Sequence, residues 1–204
     1  TDWEVDGRSQ RRYTPYHIRH RTEVAGMMTI LHGDNRFYNN IFVQYYPVDN
    51  NESKESPYYQ VVGNHVWDEY PTYDEWIARF DMDVEKPDMD KLAVPHFDHL
   101  PIWANGNAYL MGAKAWKKET DKFVDADTEV TVELVKKDGF YELETNIYEI
   151  LGDYSNGIIT SDILGKAFEP EQRFEERDES DIIFNVDFYG NHRGVSTIPG
   201  PLAK

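Results

Sequence analysis

The stretch His17–Gln44, HIRHRTEVAGMMTILHGDNRFYNNIFVQ, decides the reading of this chain. Val24–Leu31 and Phe37–Gln44 are rich in β-branched, aromatic and large apolar residues, which predicts two short strands. The polar turn His32-Gly33-Asp34-Asn35 separates them. Gly33-Asp34 and Asn39-Asn40 suit the corners of a coiled parallel sheet. Gly and Asn tolerate left-handed backbone angles, and an Asn side chain can bond the backbone of the next turn.

Immediately before this pair lies a dense polar cluster: Arg8, Arg11, Arg12, His17, Arg19, His20, Arg21 and Glu23. In a parallel coil, successive rungs stack about 4.8 Å apart, so equivalent side chains point the same way. Two carboxylates so placed lie about 5 Å apart, the separation of the acid and nucleophile in a retaining glycosidase; an inverting enzyme needs a wider gap. That chemistry requires one acid to stay protonated near neutral pH while the other stays ionised. Glu23 and Asp34 flank the first strand and Asp6 precedes it, each beside Arg or His that can tune a carboxylate. The plainer reading of such acids is a surface ion pair or a turn cap. His17, His20 and His32 have spacing seen in metal sites, but without a third ligand no metal or other cofactor is assigned. The arginine run suits either an oxyanion clamp or ties between loops and carboxylates.

Working outward, Thr1–Tyr16 reads as a charged loop and Tyr46–Tyr59 as a long surface loop punctuated by Pro47 and Pro57. Gln60–Trp67 is expected to be a strand with a corner at Gly63-Asn64, and Tyr73–Phe80 a helix with Asp74 and Glu75 in its first turn. Asp81–His99 is acidic and Pro-punctuated. Within Pro101–Gly112, Asn105-Gly106-Asn107 predicts a turn and Ala108–Met111 a strand, followed by a charged connector over Lys114–Asp127. Thr128–Val135 and Phe140–Ile147 flank Asp138-Gly139, the dipeptide a type I′ hairpin demands. Thr160–Gly165 reads as a helical turn capped by Ser161, Ile182–Tyr189 as a last strand, and Gly190–Lys204 as a tail. The expected domains are 1–127, coils with long surface loops, and 128–204, an antiparallel hairpin, last strand and tail. The fold class is therefore all-β, with irregular Asn and Gly corners of the kind a degenerate solenoid leaves.

Net charge is −17, from 38 acidic against 21 basic residues, a field that repels nucleic acid and anionic membranes. Without cysteine there is no disulfide framework and no thiolate metal site. No apolar run is long enough to span a bilayer. These features suit a cytoplasmic or a secreted bacterial protein equally. The chain carries 14 Tyr and 5 Trp, whose ring faces suit stacking on sugars. Thr1-Asp2-Trp3-Glu4-Val5-Asp6 reads as the interior of a longer protein, or as one chain of a split one.

TPY at 14–16, HRTE at 20–23, GDNRFYNNIFV at 33–43, GNAYLMGAK at 106–114, DFYGNHRG at 187–194 and PGP at 199–201 resemble bacterial right-handed parallel β-helix proteins that act on carbohydrates. The nearest family is the β-helix β-xylosidases, and the chain resembles the C-terminal part of such an enzyme. The resemblance implies terminal coils of a parallel β-helix with a small antiparallel β-sandwich-like part. It also implies retaining hydrolysis of β-xylosides by an Asp and a Glu on neighbouring rungs. The resemblance does not place both acids, one or both of which could precede Thr1; read from the residues, Glu23 is the expected general acid/base and Asp34 or Asp6 the nucleophile or partner acid. His17, His20 and Arg36 would bind hydroxyls, and Trp67 or Trp103 would stack on a sugar ring. The expected partners are an oligosaccharide and the N-terminal part of the same protein, with oligomerisation open. Two rivals stand: a polysaccharide lyase on the same fold, with an Arg or Lys base and often Ca²⁺, and a non-catalytic carbohydrate-binding β-module.

Overall fold

In the computed structural model, residues 33–44, 61–79, 81, 86, 99–167 and 172–203 are described. The expected strand Val24–Leu31 and the residues Asp6, His17, His20 and Glu23 lie outside them. The elements in chain order are β1 (Arg36–Tyr38), β2 (Ile41–Val43), a 3₁₀ turn (Asn64–Trp67), α1 (Tyr73–Ala78), β3 (Trp103–Asn105), β4 (Asn107–Leu110), β5 (Lys122–Asp125), β6 (Val132–Lys137), β7 (Phe140–Thr145), α2 (Ile147–Leu151), β8 (Asn156–Gly157), α3 (Ser161–Leu164) and β9 (Ser196–Thr197). Strands with a few short helices make the described residues all-β in character. No helix among them is long and apolar enough to cross a membrane. Two compact units divide the chain. The first holds the described stretches 33–36, 70–79, 99–103, 159–167 and 172–183; the second holds 37–44, 61–69, 104–158 and 184–203. Residues 127 and 128, the expected domain boundary, both fall in the second unit.

In the second unit, β2, β4 and β5 form a three-stranded parallel sheet in that order. Strand side chains alternate between faces, so paired residues share a face. Ile41 pairs with Ala108 and Ala108 with Phe123; Val43 pairs with Leu110. These residues turn inward, where Ala108 and Leu110 meet Val130, Ile147 and Leu151 in one buried cluster. On the opposite face Phe42 lies beside Tyr109, their rings 5.1 Å apart and 9° from parallel. Parallel strands usually need a helical crossover; here β4 reaches β5 through residues 111–121, which contain no helix.

The corners are asparagines. Asn39 takes φ 54°, breaking the strand expected over Phe37–Gln44 into β1 and β2. Gly106 breaks the next stretch into β3 and β4 at φ 72°. A Cβ there would stand 2.4 Å from Asn39 Oδ1, so only glycine fits.

β6 and β7 pair antiparallel around a two-residue turn in which Asp138 and Gly139 take φ 44° and 94°. Positive φ at both positions is type I′ geometry, whose twist matches the strands. Lys137 Nζ meets Glu142 at 2.8 Å and Glu144 at 2.7 Å, surface pairs of little energetic weight. β7 ends at Thr145 and α2 follows where the sequence predicts continued strand; the reason is burial, since Ile147 and Leu151 lie one turn apart and both enter the core.

In the first unit, α1 opens with a capping box. Glu75 N donates to Thr72 Oγ1 at 3.1 Å and Thr72 N to Glu75 Oε2 at 2.8 Å. Trp76 is its buried residue, 3% exposed. α3 takes Thr160 as its N-cap, one residue before the expected Ser161, and Gly165 ends it.

Three further elements differ from expectation. Within the strand expected over Gln60–Trp67, Asn64–Trp67 form a 3₁₀ turn, and buried Asn64 donates through Nδ2 to Tyr109 Oη at 2.8 Å. Lys122–Asp125, inside the expected connector, is a strand because β4 supplies a partner. Ile182–Tyr189 alternates like a strand but makes only isolated bridges, Ile183 with Thr160 and Val186 with His192.

Candidate functional site

In the first unit the chain entering β1 passes beside the chain entering β3. Asp34 N donates to Pro101 O at 2.6 Å and Trp103 N to Asn35 O at 2.9 Å. This pairing brings Arg36 and Trp103 together although they lie far apart in sequence. The Arg36 guanidinium sits 4.1 Å from the Trp103 ring centroid and 4.4 Å from that of Phe174, a cation between two aromatic faces. Nε donates to Leu164 O at 2.7 Å, Nη2 to Lys166 O at 2.5 Å, and Nη1 to both Asp34 O at 2.9 Å and Asp34 Oδ1 at 2.8 Å. Its side chain is only 6% exposed. A planar fork meeting four acceptors is what Arg supplies and Lys cannot.

Against this clamp lies a cavity of about 500 Å³, within the range of small-molecule sites. Tyr73, Trp103, Ile77 and Ile163 give it an apolar and aromatic wall, and Arg36 and Lys166 its charges. Tyr73 is 46% exposed, with its ring 6.2 Å from Trp103 at 30°. An accessible ring beside a fixed indole can receive a flat or pyranose ligand through its C–H face.

Of the residues singled out in the sequence, the structure brings together Asp34, Arg36 and Trp103. Asp34, at φ 58°, is ion-paired to Arg36. Trp67 belongs to the second unit, where its ring lies 5.8 Å from Phe37. Sequence reasoning missed Tyr73, Phe174 and Lys166. Periodicity gave no signal for Tyr73: three positions before the buried Trp76 it shares that helix face, yet as the first helical residue it stays half-exposed.

The second unit buries a polar network that the sequence also hid. Glu119, 2% exposed, accepts from Asn107 N at 3.2 Å, Asn107 Nδ2 at 2.7 Å and Tyr109 Oη at 2.5 Å. Burial pushes the Glu119 carboxyl above the usual range, outweighing the bonds that favour its charged form. Burial, with Glu119 as neighbour, pushes the Tyr109 hydroxyl up as well. Asn107 Nδ2 also donates to Phe37 O at 2.7 Å, so this network is tied to β1. Its chemistry is that of a structural lock.

No protein-family model matches the sequence, and no curated protein matches it. Among solved structures, the chain is similar to one described as the complex structure of XylC with xylose, at a TM-score of 0.70 and 24% identity over 92% of this chain. The chain spans 27% of the length of that structure. This likeness establishes a shared fold.

Proposed function

We propose that this chain is part of a carbohydrate-active enzyme, a glycoside hydrolase acting on plant-type oligosaccharides with β-xyloside as first substrate. The observation that carries the reading is the fold shared with XylC, a protein whose structure is described with xylose, over 92% of this chain. On this reading β2, β4 and β5 belong to coils of a right-handed parallel β-helix, supported by their parallel order and in-register pairing. The cavity beside Arg36 is a sugar subsite, with Tyr73 and Trp103 as its stacking wall and Arg36 as the residue that positions that wall.

Glu23 protonates the glycosidic oxygen as the leaving group departs, and Asp34 or Asp6 attacks the anomeric carbon. Water, deprotonated by Glu23, then releases the sugar with retained configuration. His17 and His20 bind hydroxyls. The test is release of nitrophenolate from nitrophenyl β-D-xyloside by the full chain, compared with Glu23→Gln. The variant should fold, by circular dichroism, and lose turnover; wild-type rates from it would remove Glu23 as the acid.

A second reading, a non-catalytic carbohydrate-binding module, is favoured by one observation: among the described residues, no carboxylate lines the cavity. Xylose binding without any turnover would put that reading first.

A further inference from the structure

The cavity holds a charge pattern opposite to that of the chain around it. Net charge is −17, yet among the described residues the two charged ones lining this cavity, Arg36 and Lys166, are both cations. They come from touching segments, since Arg36 Nη2 donates to the Lys166 carbonyl. Asp34 balances Arg36. The Lys166 ammonium, on an exposed residue, has no ion pair or hydrogen bond among the described residues. Arg36 uses four of its five N–H groups on protein oxygens, which leaves one Nη2 hydrogen without a partner among the described residues. Among the described residues the site therefore presents an aromatic wall, one cation without an ion pair and one charged donor, and no acid lines it.

We infer that the sugar this cavity takes carries a carboxylate: it is a subsite for a uronic acid residue, held by Lys166 and Arg36 Nη2 at the carboxylate and by Tyr73 and Trp103 at the ring. The inference rests on the sugar-subsite reading above and adds to it the class of sugar. D-Glucuronate and D-xylose make a matched pair of probes, because glucuronate is the xylose pyranose with a carboxylate at C5. The carboxylate supplies a charge-assisted contact that xylose lacks, and such contacts are strong where the donor is ionised.

The experiment is isothermal titration calorimetry of the full chain with methyl β-D-glucuronide, methyl β-D-xyloside and sodium acetate. Lys166→Gln and Lys166→Glu are titrated alongside, with circular dichroism as a check on folding. The expected result is glucuronide binding about tenfold tighter than xyloside. That advantage should fall with added salt and disappear in Lys166→Gln. Lys166→Glu should invert the preference. Equal binding of the two glycosides would overturn the uronate inference and leave the sugar subsite standing. Acetate binding as tightly as glucuronide would overturn it in favour of a plain anion site. Binding of neither glycoside would remove the inference and the sugar subsite together.

Discussion

Asn107 accepts two hydrogen bonds from Asn40 on one oxygen: Oδ1 receives the main-chain N–H and the side-chain Nδ2, each at 2.9 Å, across 67 residues of chain. The same side chain donates through Nδ2 to Phe37 O and to Glu119. One fully buried amide thus joins the β1–β2 corner to β4 and supplies donors to a buried carboxylate. Asn107→Ala should cost about 3 kcal/mol, since it strips bonds from Asn40 and leaves Glu119 under-satisfied. Urea unfolding measures this. Asn40→Ala, which removes the partner at a half-buried site, should cost about 1 kcal/mol. Equal small losses from both would mean the ladder does not hold the corner.

Gly106→Ala should destabilise by about 2 kcal/mol. The new Cβ would meet Asn39 Oδ1 at 2.4 Å and Asn156 Nδ2 at 2.8 Å, at a backbone φ of 72°. Calorimetry should then show a melting temperature lower by about 6 °C.

Asp187 accepts from the main-chain N–H groups of Tyr189, Asn191 and Ala203 and from Asn191 Nδ2. These bonds, that of Ala203 first, draw its carboxyl down to about 2. A carboxyl lowered on folding contributes stability that is present above its ordinary value and is lost as pH falls through the folded one. The loss belongs between about pH 4 and pH 2. Asp187→Asn should be less stable at pH 7 and show a shallower decline across that window in pH-dependent denaturation.

Arg36→Lys keeps the charge but gives up the planar fork between Trp103 and Phe174. It should lower stability by about 2 kcal/mol and weaken methyl β-D-xyloside binding about tenfold through a loosened wall. Calorimetric titration and thermal melting on the same sample check both effects.

Some of this was legible in the sequence because it is local. Asp138-Gly139 needs no tertiary partner to favour a type I′ turn, and Asn39-Asn40 marks its corner by its own backbone preference. Lys122–Asp125 was not legible: four residues with a charge at each end, KFVD, become a strand only because β4 lies alongside. The converse holds for Ile182–Tyr189, whose alternation finds no continuous neighbour. At the site, Arg36 and Trp103 were visible singly as chemistry-bearing residues. Their juxtaposition was not, because it arises from pairing between distant segments, and Lys166 and Phe174 join through the main chain of the α3 region. Glu119 reads as one more surface acid among 38 acidic residues until its burial is seen.

The most direct test of the account is a crystal structure of the full chain grown with xylobiose. The account predicts a pyranose ring in the cavity, lying on Tyr73 beside Trp103, with Arg36 still bonded to the Leu164 and Lys166 carbonyls. Sugar bound at any other place, or a cavity empty at saturating xylobiose, would contradict it.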